Sequence, residues 1–215
     1  MTREAKILAA IFGVIVVGMI AIFAFAGGGG STADSNSDTV DQSKLVRPDS
    51  HKAGNGPVQV VEFGDYQCPA CAAAEPNVQK LKEEMGDKIT FVYRNFPLPI
   101  HKNAMPAAEA AEAAGAQGKY WEMHSKLYTT QTEWENLPNP VDKFAEYAKE
   151  LGLDADKLKK DVEENKYVDF INQDKRDGED IGVNATPTFY INGKKAESFD
   201  YATLKSMVEE ALNQK

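Results

Sequence analysis

The chain contains two cysteines, and both lie in one short motif, Cys68-Pro69-Ala70-Cys71. The motif follows an apolar run at 58–63 and opens a segment with a helical pattern. Two cysteines at this spacing form a dithiol that can open and close, so the motif predicts thiol–disulfide exchange. Zinc sites share the spacing but need about four ligands, and the chain adds only three scattered histidines. We therefore expect no metal here, and an inert structural disulfide is the remaining alternative.

The position of each cysteine in the motif predicts its role. Cys68 fits the N-cap of a helix, because Pro69 then falls at the first helical position, where its missing N–H costs nothing. A helix N-terminus lowers the pKa of a thiol, and the thiolate is the nucleophile of exchange. Cys68 is therefore the predicted attacking residue. Cys71, one turn further on the same face, is the predicted resolving residue, and we assign Pro69 and Ala70 to helix initiation and substrate binding.

Two further features extend the predicted site. Glu62 is a carboxylate in an otherwise apolar strand, which is costly without a partner or a task. We expect it to exchange protons with Cys71, and a salt-bridged or edge-facing glutamate is the alternative. Thr186-Pro187 comes before a predicted strand, and a cis bond there would free the Thr186 backbone to pair with an extended substrate. A trans proline at a strand start is the alternative, since most X–Pro bonds in folded proteins are trans.

The N-terminal region predicts a membrane anchor. Residues 7–26 are apolar or small and carry no charge, and a helix of this length spans the hydrocarbon core of a bilayer. Basic residues precede the span and acidic residues follow it, so we expect residues 1–6 in the cytoplasm and the domain on the extracytoplasmic side, where disulfides persist. A cleaved signal peptide is the alternative, because Ala24-Phe25-Ala26 resembles a cleavage site. Residues 27–50, rich in Gly, Ser and Asp, are predicted to form a flexible linker.

Residues 51–215 are long enough for one domain with its own core. The predicted strands cover 58–63, 89–94, 188–191 and 194–199. The predicted helices begin near residues 69, 104, 119, 140 and 155, the one from 155 being broken near Gly178, and a last helix lies near the C-terminus. His101 and His124 are expected in packing or surface positions.

The net charge of −9 argues against nucleic acid and anionic lipid surfaces as partners.

Five sequence motifs carry a resemblance to a known family. They are Val60-Val61-Glu62-Phe63, Cys68-Pro69-Ala70-Cys71, Arg94-Asn95-Phe96-Pro97-Leu98, Gln117-Gly118-Lys119-Tyr120-Trp121 and Gly182-Val183-Asn184-Ala185-Thr186-Pro187-Thr188-Phe189. Over about residues 56–213 the chain resembles the thioredoxin-like disulfide oxidoreductases of the DsbA family, in their membrane-anchored extracytoplasmic form. The resemblance implies an α/β thioredoxin fold with a helical insert at about 100–182. It also implies a cis Pro187, a buried acid at Glu62 and Cys68 as the exposed nucleophile, with no cofactor.

The same resemblance implies a thiol oxidase that introduces disulfides into unfolded or reduced exported proteins. A quinone-linked membrane partner of the DsbB or vitamin K epoxide reductase kind would re-oxidise it. A disulfide reductase or isomerase is the first alternative, although such members are usually dimers and we expect a monomer. A chaperone-like binding module with a structural disulfide is the second. Strongly oxidising members carry Pro-His between the cysteines, whereas this chain carries Pro69-Ala70, so the direction of electron flow depends on a reduction potential that the sequence does not fix.

Overall fold

The computed structural model of the protein describes residues 39–214. The predicted anchor at 7–26 and its cytoplasmic flank at 1–6 lie outside the described residues. Among residues 39–214, no helix combines the length and the apolar character that crossing a membrane requires.

Within the described residues, a mixed five-stranded sheet forms the centre of the domain. Its strands are β1 (His51–Ala53), β2 (Val58–Gly64), β3 (Ile89–Asn95), β4 (Thr188–Ile191) and β5 (Lys194–Lys195). They lie in the order β1-β3-β2-β4-β5, in which β2 and β3 are parallel and the other neighbours are antiparallel. The strand β2 is therefore central and hydrogen-bonded on both sides, whereas the edge strand β1 was not predicted from the sequence.

Nine helices accompany the sheet in the described part of the chain. They are α1 (Gln42–Leu45), α2 (Pro69–Met85), α3 (Ala104–Gly115), α4 (Tyr120–Thr129), α5 (Gln131–Trp134), α6 (Val141–Glu150), α7 (Ala155–Glu163), α8 (Val168–Asp180) and α9 (Tyr201–Asn213). The helix α2 connects the parallel strands β2 and β3, as a crossover helix does. The helices α3 to α8 lie between β3 and β4, at the place expected for the helical insert, and α9 packs against α2, β2 and β4.

The central strand β2 separates two apolar clusters, because its side chains alternate between the two faces of the sheet. Val60 lies in the larger cluster, which includes α2 and most of the helical insert. Val61 and Phe63 lie in a smaller cluster on the opposite face. Glu62 is buried two positions after Val60, so alternation places its carboxyl group on the α2 face of the sheet.

Alanines allow the insert helix α3 to pack closely against its neighbours. Seven of them are buried: Ala104, Ala107, Ala108, Ala110, Ala111, Ala113 and Ala114. The helix contacts α4, α6, α7 and α8 at once, and small side chains let helix axes approach one another. The helix predicted to begin near residue 104 is confirmed.

The insert helix predicted from residue 155 onward ends earlier than expected. The helix α7 stops at Glu163 and α8 begins at Val168. Between them Asn165 has a φ of 52°, a left-handed conformation that asparagine adopts more readily than most residues and that ends a helix. The break expected near Gly178 is wrong, because Gly178 lies inside α8.

Gly178 has a packing role instead. A Cβ atom at this position would lie 2.9 Å from Cδ1 of Phe63 and 3.0 Å from Cδ2 of Phe96. Both rings belong to the smaller apolar cluster. The glycine therefore lets α8 approach the sheet closely.

The returning strand predicted at 194–199 is also shorter than expected. The strand β5 covers only Lys194–Lys195, which pair with Ile191 and Tyr190 at the end of β4. The N–H of Ala196 donates to the carbonyl of Phe189 at 2.8 Å and closes the ladder. The chain then turns to Asp200, whose side chain caps α9.

Residues 39–50 belong to the fold, although they fall in the range 27–50 that the sequence assigned to a flexible linker. Thr39 forms an isolated β-bridge with the first residue of β5. Leu45 is buried in the smaller apolar cluster, and its carbonyl accepts a hydrogen bond from the buried Arg94 guanidinium at 2.5 Å. The linker prediction is therefore corrected from residue 39 onward.

A buried carboxyl group in the helical insert links fold stability to pH. Glu109 on α3 is 1% exposed, and its Oε2 accepts the N–H of Tyr167 at 2.9 Å, at the start of α8. Its Oε1 has no hydrogen-bond partner among the described residues. Burial raises the pKa of Glu109 to about 7, and the charges of Glu112 and Asp161 add to the increase.

We expect Glu109→Gln to remove one component of the pH dependence of stability. Folded wild-type protein retains a proton at Glu109 that the unfolded chain releases near pH 4.5, so its free energy of unfolding falls as pH rises from there through about 7. The stability of Glu109→Gln relative to wild type should increase by about 1–3 kcal/mol between about pH 5 and pH 8. Urea unfolding at both pH values measures this. The exposed Glu209→Gln is the matched control, and an equal shift in the control would contradict the assignment.

Candidate active site

The two cysteines lie at the start of α2, shortly after the carboxyl end of β2. A turn at 65–68 joins these elements and is closed by a hydrogen bond of 3.0 Å from the N–H of Cys68 to the carbonyl of Asp65. Cys68 is the N-cap of α2, and Pro69 stands in the first helical turn. The predicted N-cap position is confirmed. The side chain of Cys68 is 6% exposed and that of Cys71 is 0% exposed, so Cys68 is the more accessible thiol.

The surroundings of Cys68 favour its thiolate form. A hydrogen bond from the Cys71 thiol is the largest cause of a lowered Cys68 pKa, about 5, and burial opposes it. The Thr186 side chain and the N–H groups of Cys71 and Ala70 lower the pKa further. Those two N–H groups belong to the helix N-terminus that the sequence pointed to. The predicted direction is therefore confirmed, although the neighbouring thiol is the main donor.

The surroundings of Cys71 and Glu62, in contrast, favour their protonated forms. Burial raises the pKa of the Cys71 thiol well above its ordinary value, and the interactions with Cys68 and Glu62 raise it further. Burial also raises the pKa of Glu62 well above its ordinary range, and the charge of Glu75 adds to this. Oε2 of Glu62 has no hydrogen-bond partner among the described residues. Burial therefore favours the protonated form of Glu62, which lies on the central strand rather than at an edge, and its negative charge, when ionised, raises the pKa of Cys71.

Two charged residues on the same face of α2 as Cys71 were not predicted from the sequence. Glu75 and Lys82 lie four and eleven residues after Cys71, on the same face of α2. Burial raises the pKa of Glu75, but the nearby His124 ring, the Gln79 amide and the Lys82 ammonium group outweigh it and lower the pKa overall. The pKa values of the neighbouring carboxyl groups of Glu62 and Glu75 are thus shifted in opposite directions. Glu62 tends to hold the proton, and Glu75 tends to carry the negative charge. The helical spacing from Cys71 was the signal that could have identified this group.

His124 is fully buried beside this charged group. Its Nδ1 lies 3.0 Å from the Tyr66 hydroxyl, and its Nε2 lies 3.5 Å from Oε2 of Glu75. Its ring also meets the rings of Tyr93 and Tyr128 edge-on. The packing role expected for His124 is confirmed, and the ring in addition faces the carboxylate that stays charged.

The loop before β4 faces the accessible cysteine. The Thr186–Pro187 peptide bond is cis, as the resemblance implied. Sγ of Cys68 lies 3.4 Å from the carbonyl oxygen of Thr186, and the Thr186 side chain interacts with the same sulfur. Between the two cysteines, Pro69 is exposed and Ala70 is half-buried. The structure thus brings all the predicted site residues together around the two sulfurs, and the substrate-binding roles of Thr186, Pro69 and Ala70 stay predictions.

Side chains of the helical insert hold the turn that carries Cys68. The amide of Gln131, on α5, donates to the carbonyl of Tyr66 at 2.8 Å and to that of Cys68 at 3.1 Å. From the turn itself, Gln67 accepts the N–H of Asn103 at 2.6 Å, just before α3. These contacts were not predicted from the sequence, because each joins the turn to a residue far away in the chain.

The fold and the cysteine pair agree with a family assignment. A family model described as Thioredoxin matches residues 51–210. The chain belongs to the thioredoxin family.

Solved structures narrow this assignment. BdbD from Bacillus subtilis is 27% identical, with a TM-score of 0.69 over 76% of this chain and 93% of that chain. A thioredoxin-like oxidoreductase from Silicibacter pomeroyi is 30% identical, with a TM-score of 0.68 over 81% of this chain and 99% of that chain. The α-DsbA1 protein of Wolbachia pipientis, 21% identical, shares the fold with a TM-score of 0.70 over 79% of this chain and 94% of that chain. The enzyme class predicted from the sequence, a thioredoxin-like disulfide oxidoreductase, is confirmed.

Curated relatives match the same region within much longer proteins. The Na(+)/H(+) antiporter NhaA 1 of Salinispora arenicola is 39% identical over 80% of this chain, but the match covers 26% of that protein. The NhaA 1 protein of Mycobacterium sp. strain KMS is 35% identical over 77% of this chain and 28% of its own length. The chain spans about a quarter of the length of the curated relatives it matches. Their antiporter name therefore says nothing about the activity of this chain.

We expect Cys71→Ala to raise the pKa of Cys68. The substitution removes the thiol that is the largest cause of the lowered value of about 5, but it keeps the helix N–H groups and the Thr186 side chain. The Cys68 pKa should therefore rise and still stay below the free-thiol value of about 8.5. Ultraviolet thiolate absorbance against pH, compared between the reduced wild type and the variant, measures it. An unchanged pKa would mean that the helix N-terminus alone stabilises the thiolate.

Proposed function

We propose that the protein is a thiol oxidase that introduces disulfides into unfolded or reduced exported proteins. The observation that carries this proposal is the position of Cys68 at the N-cap of α2, beside the Cys71 thiol, where its pKa is lowered to about 5. Stabilising the thiolate of the reduced form makes the corresponding disulfide more oxidising. The value lies between the pKa of the reactive cysteine in thioredoxin, about 7, and that in DsbA, about 3.5.

The first step transfers the disulfide to the substrate. A substrate thiolate attacks Sγ of Cys68 in the Cys68–Cys71 disulfide, a substrate–Cys68 bond forms, and the Cys68–Cys71 bond breaks with its electron pair on Cys71. Because burial raises the pKa of Cys71, the leaving sulfur takes up a proton. Glu62, protonated and electrostatically coupled to Cys71, is the group that supplies it.

The second step releases the oxidised substrate. A second substrate thiolate attacks the substrate sulfur of the mixed disulfide, and Cys68 leaves as a thiolate that the Cys71 thiol and the helix N–H groups stabilise. The substrate has lost two electrons to form its disulfide, and the protein is left as a reduced dithiol. A further turnover needs an electron acceptor. We assign this role to a quinone-linked membrane protein of the DsbB or vitamin K epoxide reductase kind.

Substrates are proposed to bind in an extended form beside Thr186. Because the Thr186 carbonyl lies 3.4 Å from Sγ of Cys68, a peptide that pairs with this backbone brings its own cysteine to the reactive sulfur. The exposed Pro69 and the half-buried Ala70 are proposed to contact the same substrate. We further propose that the domain acts as a monomer on the extracytoplasmic side of the cell membrane, anchored through residues 7–26.

A reductase or isomerase is the second candidate function. The sequence Pro69-Ala70 favours it, because the histidine that strongly oxidising members carry between the cysteines is absent. A non-catalytic chaperone-like module is the third candidate, and it would have no need for a cysteine whose thiolate is stabilised.

We expect Cys71→Ala to trap a reduced substrate protein as a mixed disulfide, whereas Cys68→Ala should trap none. Without Cys71 the substrate–Cys68 bond cannot be resolved from within the protein, while without Cys68 the remaining thiol is fully buried. Each variant, activated with a thiol-reactive disulfide, is incubated with reduced ribonuclease and analysed on a non-reducing gel. Equal trapping by both variants would contradict the assigned roles, and no trapping by either would favour the chaperone-like module.

We expect the reduction potential of the wild type to lie between about −270 mV, the value for thioredoxin, and about −120 mV, the value for DsbA. The intermediate pKa of Cys68 is the reason, since thiolate stability and oxidising power rise together. Equilibration of residues 39–215 with glutathione buffers measures the potential. A potential at or below that of thioredoxin would contradict the oxidase and favour the reductase.

A further inference from the structure

Asp65 is a buried carboxylate in the turn that carries Cys68, and the mechanism above does not use it. It is 1% exposed. Its Oδ1 accepts the N–H of Gln67 at 2.7 Å. Its Oδ2 accepts the N–H of Leu98 at 2.8 Å and lies 2.7 Å from Nδ1 of His101. The carboxylate thus ties the turn to the loop that follows β3.

The backbone of Asp65 contacts the chain at both cysteines. Its carbonyl accepts the N–H of Cys68 at 3.0 Å. Its N–H group acts on the sulfur of Cys71 and lowers the pKa of that thiol, against the larger effect of burial. The position of this one residue therefore affects where Cys68 stands and how readily Cys71 loses its proton.

His101 is held by the helical insert. Its N–H donates to the carbonyl of Leu98 at 3.0 Å, and its carbonyl accepts the N–H of Ala104 at 3.2 Å, where α3 begins. Because a carboxylate oxygen can only accept, Nδ1 of His101 is the donor in its contact with Asp65. The ring is 17% exposed, whereas the Asp65 side chain is fully buried. His101 therefore presents an N–H from an anchored loop to a carboxylate that has no access to water.

Loss of that N–H would change the turn. A buried carboxylate that loses a donor pays the desolvation cost of an unsatisfied charge, so it shifts toward other donors. Any shift of the Asp65 side chain moves its backbone N–H away from Cys71, whereas the Gln131 amide continues to hold the carbonyl of Cys68 in place.

We propose that His101 is a positioning residue of the exchange reaction, which acts through Asp65 to hold the turn beneath Cys68 and Cys71. This proposal rests on the proposed exchange function. Sequence analysis placed His101 among packing or surface residues, because its partner lies thirty-six positions away in the chain. A purely stabilising role would change the unfolding temperature and leave the ratio of the two exchange steps unaltered.

The test compares two substitutions of similar size at this position. The amide nitrogen of Asn lies where Nδ1 of histidine lies, so His101→Asn keeps an N–H donor at that position. The longer side chain of His101→Gln places its amide further away and so withdraws this donor. His51 supplies a matched control, because its Nε2 lies 2.7 Å from the buried Glu112 in a comparable pair on the edge strand β1. His51→Asn withdraws the Nε2 donor from that pair.

Two rates are measured by rapid mixing against pH. The first is the attack of Cys68 in the reduced protein on oxidised glutathione, and the second is the release of glutathione from the mixed disulfide by Cys71. In His101→Gln we expect the release step to slow about tenfold, with its pH profile displaced to higher pH, and the attack step to change by about twofold or less. His101→Asn and His51→Asn should match the wild type in both steps.

Each other outcome decides against the proposal. Equal slowing of both steps, no slowing, failure of His101→Asn to restore the release step, or loss of the fold in His101→Gln would make His101 a stabilising residue only. A wild-type protein that forms no mixed disulfide with glutathione would instead overturn the exchange function itself.

Discussion

The structure depends on one constraint: the chain must leave the central strand β2 and enter α2 within a turn of four residues, 65–68. Because β2 and β3 are parallel, α2 has to cross back over the sheet, so its N-terminus stands at the carboxyl end of β2. The turn therefore presents Cys68 where free helix N–H groups meet the loop that ends in Thr186. The helical insert, which is remote in sequence, contributes Gln131 to the same turn. The sheet, α2 and the helical insert therefore all help to position the turn that carries the sulfur of Cys68.

The predictions that succeeded rest on local physical rules. The cap position of Cys68 follows from the proline after it, and the strand that carries Glu62 follows from its apolar run, whereas the burial of Glu62 was implied by the family resemblance. The starts of α2 and α3 and nearly the full extent of β3 likewise follow from composition and periodicity. The cis bond before Pro187 came from the family resemblance and not from the residues alone, for which trans is the ordinary expectation.

The predictions that failed, and the residues that were missed, involve contacts between distant segments. The position of Glu75 on the face of α2 was readable, but its charged state depends on His124, which another helix supplies. Gly178 signalled a break because the sequence does not reveal that Phe63 and Phe96 pack against it. The linker was drawn too long because Gly and Ser content describes chain flexibility, whereas the buried guanidinium of Arg94 gives residue 45 a fixed partner.

The opposite pKa shifts of the two cysteines determine how many protons the protein takes up when its disulfide is reduced. Above about pH 5, reduction of the disulfide leaves Cys68 as a thiolate and places a proton on Cys71 alone. The two-electron reaction then takes up one proton, provided that Glu62 recovers the proton it gives. Its potential should fall by about 30 mV per pH unit, half the slope of an ordinary dithiol that takes up two. Relative to ordinary dithiols the protein therefore becomes a stronger oxidant as its surroundings turn alkaline, by about 30 mV per pH unit.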